Sequence, residues 1–139
     1  MISGKPYKII DHPSDIGIEV YGKDKPELFE NAAFGMMDMM FDLTNVQVDK
    51  SYMFHLNGSA NDFESLLVSF LSNILYIIDK NKKLLLNINI KSLTDKEVVA
   101  EAFSGKIGEV KSYIKAVTYN QLEVKKEKDH WKARIIFDV

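Results

Sequence analysis

Asp11, His12 and Asp15 fall within one short stretch, Asp11-His12-Pro13-Ser14-Asp15, and a further acid, Asp138, stands one place before Val139. Carboxylate oxygens are hard donors. Two or three of them with water are enough for a divalent cation such as Ca²⁺ or Mg²⁺, and the terminal carboxylate would add another if Val139 is the true end. The stretch is also made of turn formers, and an aspartate in a turn often does no more than accept from its own backbone. Asp138 weighs against that plain reading. Ile135-Ile136-Phe137 is an apolar run of strand character, and an acid at its end is out of pattern and costly to bury without a cation or donors. We therefore expect the Asp15 and Asp138 side chains to approach within about 6 Å, close enough to share one metal.

Other chemistries lack their parts. There is no cysteine, which removes disulfides and thiolate zinc sites. His12, His55 and His130 are far apart in sequence, and none makes the helical pair of a metalloprotease. No glycine-rich phosphate loop follows a strand, no Gly-x-Ser-x-Gly elbow is present, and no nucleophile has an identifiable base.

The elements that must position the acids follow from periodicity. Tyr7 to Ile10 reads as a short strand, and Ile16, Ile18 and Val20 alternate with Gly17, Glu19 and Tyr21 as in a half-buried one. Asp24, Pro26 and Glu27 are helix-start signals, and Leu28, Phe29, Ala32, Ala33, Met36, Met37 and Met40 form a helical stripe, so a helix is predicted over 26–41. The methionines read as core filling. A strand is expected over 46–56, with His55 facing out, broken by Asn57-Gly58-Ser59-Ala60. A second capping box, Asn61 with Glu64, opens an apolar helix over 62–79. Its end carries Lys80, Lys82 and Lys83, which suit a helix C-terminus and a turn. Beyond it the pattern is β: a hairpin of 84–90 with 98–103, extended structure at 115–119 and 122–124, and a charged turn leading into 131–137 with Trp131 as an anchor. The expected fold class is α+β: a mostly antiparallel sheet with two helices packed on one face.

The 139 residues suit one domain, 1–139, with no linker or repeat. No apolar signal core opens the chain and no run approaches bilayer length, so a cytoplasmic protein without membrane contact is expected. Charge is uneven. Residues 1–79 hold 5 basic and 12 acidic side chains, and residues 80–139 hold 13 and 8. A whole-domain basic footprint, as in a dedicated nucleic-acid binder, is absent.

Five segments in order carry a resemblance. Asp-His-x-x-Asp-Ile-Gly-Ile from Asp11, Gly22 with Glu27-Leu28-Phe29-Glu30-Asn31-Ala32-Ala33, Leu66-Leu67 with Phe70-Leu71, Lys115-Ala116-Val117-Thr118-Tyr119, and Phe137-Asp138-Val139 together resemble the archease family. The resemblance implies a small α+β activator of the GTP-dependent tRNA-splicing RNA ligase of the RtcB type, aiding its guanylylation and turnover. Such a protein is no catalyst itself and meets tRNA only through the ligase. Carried over by position, it implies a metal site at Asp15 and Asp138 completed by Val139, calcium being the expected cation and magnesium or manganese the alternatives. Asp11 and His12 would support that site from behind or at the surface, and Lys115 would face a partner. The chain departs from the family in having Pro13-Ser14 for the usual Thr-Ala and Asn120 for a histidine. Proline fixes one backbone angle and removes a donor, which alters the loop before Asp15. Two other classes stay open: a metal-dependent phosphoesterase, for which no nucleophile-positioning group can be named, and a general chaperone or RNA-binding module, which the mild acidity disfavours.

Overall fold

Helix α1 (Lys25–Met40) begins as its local chemistry requires. The Asp24 carboxylate accepts from the Glu27 N–H at 2.9 Å, and the Glu27 carboxylate reaches back to the Lys23 N–H at 2.9 Å, with Pro26 in the first turn. In this computed structural model, which describes residues 5–11 and 15–139, the second helix α2 spans Phe63–Asn81. Its cap lies one residue later than the Asn61–Glu64 box: Asp62 accepts from the Ser65 N–H at 2.8 Å. Both pairs have the right spacing, and the ionised carboxylate is the stronger acceptor.

Chiefly the Ser65 N–H, with the Ser65 hydroxyl, holds the Asp62 carboxyl below its ordinary range. A lowered folded value gives stability that is present above the ordinary aspartate range and lost as pH falls through the lowered value. Asp62→Ala should therefore melt a few degrees lower than the parent at neutral pH. The gap should narrow in acid, whereas Asp62→Asn should show a smaller dependence on pH; melting curves between neutral pH and pH 2 to 3 check this.

Among the described residues eight strands follow the expected segments: β1 (Tyr7–Asp11), β2 (Ile16–Gly22), β3 (Val48–Ser59), β4 (Lys83–Leu93), β5 (Glu97–Lys106), β6 (Ala116–Val117), β7 (Glu123–Lys126) and β8 (Trp131–Asp138). Every pairing between them is antiparallel. The α+β class holds, but the strands divide into two sheets where one was expected. The first runs β1-β2-β8-β6, with β7 also on β8, and the second runs β3-β5-β4. The burial of α1 explains the division. Its buried set adds Gly35 and Met39 to the expected stripe, which is wider than one sheet can cover. α1 packs on β2 and β4, and α2 packs on β3 while reaching β4, β5, β6 and β7. The helices meet each other through Phe29, whose ring lies 5.3 Å from Phe63 and 5.5 Å from Phe70.

Each sheet gives the helices one apolar face. Ile18, Val20, Ala133, Ile135 and Phe137 come from the first, and Leu56, Val98, Ala100 and Ala102 from the second, all buried. Gly22 ends β2 against the first turn of α1, and the Asn31 side chain donates to the Tyr21 carbonyl at 2.7 Å. β3 continues through the expected break at 57–60 because α2 serves its N–H groups: Asn57 donates to the Asn73 side chain at 3.1 Å and Ser59 to the Ser69 hydroxyl at 3.2 Å. The extended run expected at 115–119 shortens to Ala116–Val117. Trp131 is half-buried, edge-on to Phe63, with the Lys25 ammonium 5.3 Å from its ring. His55 is exposed and the methionines of α1 are in the core. Among the described residues no helix is long and apolar enough to cross a membrane.

Candidate functional site

The end of the β2–β8 ladder gathers the acids. Ile16 pairs with Phe137, Asp11 with Ile16, Val117 with Phe137 and Ala116 with Asp138. Asp15 directly precedes Ile16 and Asp138 directly follows Phe137. Ile16–Phe137 is the last pair of that ladder, so both acids lie at its end, one residue beyond it. Alternation also gives them a common face. Phe137 is fully buried toward the helices, so Asp138 belongs with Ile136 and Arg134 on the other side of the sheet, and Asp15 with Gly17 and Glu19. Gly17 is what lets Ile136 lie flat there, since a Cβ on it would come 2.6 Å from Ile136 Cδ1 and 2.8 Å from the Ile135 carbonyl oxygen.

Residues 115–118 clamp the other edge of β8. The Lys115 N–H donates to the Asp138 carbonyl at 2.8 Å, and the Thr118 N–H and hydroxyl both donate to the Ile136 carbonyl, at 3.0 and 2.9 Å. Asp138 is exposed and Asp15 half-buried, while Val139 is exposed beyond the last strand. Of the residues singled out in sequence, Asp15, Asp138, Val139 and Lys115 thus share one end of the first sheet. Asp11 ends β1 at that same end. His12, Pro13 and Ser14 lie outside the described residues.

The donor set decides what such a place could hold. Among the described residues no group of three or more histidine, cysteine, aspartate or glutamate side chains could hold a metal ion. Asp15 and Asp138 are two carboxylates at one ladder end, and a cation there would take its further donors from the main chain or from water. Oxygen-only donors in that number fit a hard, water-rich divalent cation and not zinc.

A neighbouring feature had only a faint signal in the sequence. Between α2 and residues 107–117 runs an open cleft of about 440 Å³, lined by Tyr76, Val110, Tyr113 and Lys115 among others. Tyr76 and Tyr113 are 62% and 64% exposed. The segment 107–114 follows β5, and the one hint of a surface there is Val110 with Tyr113 among polar residues. Backbone bonds hold it in place: Asp42 donates to the Glu109 carbonyl at 2.9 Å and Lys111 to the Met40 carbonyl at 2.7 Å.

Comparison with known proteins gives one answer along the whole chain. Residues 7–139 match the model of the Archease protein family (MTH1598/TM1083). A protein archease from Methanosarcina barkeri is 33% identical over 144 aligned positions, covering 98% of this chain and 97% of its own. One from Thermoplasma acidophilum is 37% identical over 136 positions, covering 96% and 93%. The solution structure of protein 1598 of Methanobacterium thermoautotrophicum superposes with a TM-score of 0.77 at 28% identity, covering 98% of this chain and all of that one. A family match over this span and relatives of this similarity, joined to the same two-helix antiparallel fold, establish that the chain belongs to the archease family.

Proposed function

We propose that this protein is a metal-binding accessory factor that promotes the guanylylation and turnover of a GTP-dependent tRNA-splicing RNA ligase of the RtcB type. Family membership supports an accessory role in RNA processing. The observation that carries the finer reading is the common ladder end of Asp15 and Asp138, fixed by the Ile16–Phe137 pair. In this reading Asp15, Asp138 and Val139 hold a divalent cation, calcium first and magnesium or manganese in its absence. The cation would supply positive charge and coordination positions open to a partner's oxygen atoms. The chain's own residues do the rest. The backbone bond from Lys115 fixes Asp138, and the exposed Lys115 ammonium offers a charge to an acidic surface on the ligase. Asp11 and His12 keep in this reading the supporting or partner-facing role that the family resemblance implies. Transfer RNA is met through the ligase, in the cytoplasm, and the chain performs no catalysis of its own.

The test is guanylylation of purified ligase by GTP. Parent protein should stimulate it, while Asp15→Ala, Asp138→Ala and the double variant should return it to the unstimulated rate with the fold intact. Lys115→Ala should keep the maximal stimulation but need several-fold more protein to reach half of it. Full stimulation by the double variant would end the metal reading. Hydrolysis or joining of RNA by the protein alone would favour a metal-dependent phosphoesterase instead.

A further inference from the structure

Where α2 hands over to β4, the second sheet ends on three lysines. Lys82 caps α2 in the left-handed conformation, φ 56° and ψ 43°, its N–H donating to the Ile78 carbonyl at 2.8 Å. That position is ordinarily glycine. Lys83 opens β4 directly opposite Lys106, the last residue of β5, and like charges so paired cost stability. Among the described residues neither of these two ammonium groups has a carboxylate at ion-pair distance, whereas Lys82 lies 3.2 Å from Asp79.

The third component is a hydroxyl. Ser104 precedes Lys106 by two residues on the same side of β5 and is 2% exposed, yet its side chain has no hydrogen bond among the described residues. An unpartnered buried hydroxyl is rare enough to require a cause. Ser104 lines a cleft of about 500 Å³ together with Lys82, Lys83, Lys106 and Asp49. Asp49 is the acid facing this group from β3, where it stands opposite Ser104. Its carboxylate accepts from the Ser51 N–H at 2.9 Å and the Ser51 hydroxyl at 2.6 Å, bonds that hold it ionised, and its charge offsets part of that of Lys83 while leaving Lys106 unmatched.

We infer that this cleft is a phosphate site, in which Lys83 and Lys106 bracket the anion and the Ser104 hydroxyl donates to it. An anion there would relieve the repulsion between the two lysines and satisfy the hydroxyl at once. Lysine ammonium groups bind phosphate as point charges, and the several oxygens of one phosphate can accept from both lysines and the hydroxyl together. The phosphate is either free, as an inorganic or nucleotide polyphosphate, or part of an RNA backbone. None of Asp15, Asp138 and Lys115 lines the cleft, so the inference stands apart from the metal reading.

Amide spectra of the protein titrated with sodium phosphate, sodium tripolyphosphate and a short single-stranded oligoribonucleotide, each against sodium chloride at equal ionic strength, test it. Saturable shifts should centre on Lys82, Lys83 and Ser104 to Lys106. Lys106→Gln should weaken binding roughly tenfold, as the loss of one charged contact, and melt no lower than the parent in plain buffer because the repulsion is gone. Ser104→Ala should weaken binding several-fold, while Lys106→Arg should retain it. Binding of the oligonucleotide with the same sensitivity to Lys106→Gln assigns the site to RNA, and binding of the small anions alone assigns it to a free polyphosphate. The inference is overturned if none of the three binds saturably, if the shifts centre elsewhere, or if both Lys106→Gln and Ser104→Ala bind as the parent does.

Discussion

Replacing Gly22 with alanine should cost about 3 kcal/mol or more of folding stability, measured by urea unfolding. A Cβ on Gly22 would come 2.4 Å from the Leu28 nitrogen and 2.7 Å from its Cα, both backbone atoms of the first turn of α1. Backbone cannot turn aside as a side chain can. Relief requires shifting the helix away from β2, which opens the packing of Leu28 and Phe29, both fully buried. Gly35→Ala is the matched control. Its added Cβ would lie 3.1 Å from the Tyr7 ring and 3.2 Å from Ile18 Cδ1, and alanine gains up to about 1 kcal/mol over glycine in a helix. A near-neutral Gly35→Ala beside a severe Gly22→Ala is the expected pattern. Equal effects at the two sites would show that the approach at Gly22 is not what sets the strand against the helix.

Calcium should raise the melting temperature of the parent and leave Asp138→Asn unmoved. At a free concentration one hundred times the dissociation constant, a ligand specific to the folded state adds about 2.7 kcal/mol. The sign should reverse in chelator. With no cation present, like charges held at one ladder end repel, so Asp138→Asn should melt at or above the parent there. The two melting curves therefore cross as calcium is added. Parallel calcium shifts in both proteins would mean that the ion binds elsewhere, and a low-melting variant in chelator would mean that Asp138 is a structural acceptor.

What could be read from the chain alone had local causes. The start of α1 was legible because Asp24, Pro26 and Glu27 each act on neighbouring backbone. Asp138 stood out because it ends an apolar run. The division into two sheets was not legible, since alternation reports which face of a strand is buried and not which strand lies beside it. β3 finds β5 across the whole of α2. That Asp15 and Asp138 reach one ladder end rests on a register that no local signal specifies. Ser104 lies between these cases: the alternation Val98, Ala100, Ala102 already sets it on the buried side, but the lysine facing Lys106 emerges only once β4 and β5 are paired.

β8 has neighbours on both edges, with β2 on one and β6 and β7 on the other. That central place has a kinetic consequence. The β1–β2 hairpin leaves the ribosome long before the strand that must pair with it, while α2, β4 and β5 can associate as soon as they are made. The nascent chain therefore carries an open strand edge at β2 until β8 is made, although α1 can already cover the apolar face of Ile18 and Val20. Pairings between the two ends of a chain are the slow ones, and unpaired edges invite association with other chains in the meantime. Folding of the first sheet should thus be the late step, and the acids at its end would come together only in that step.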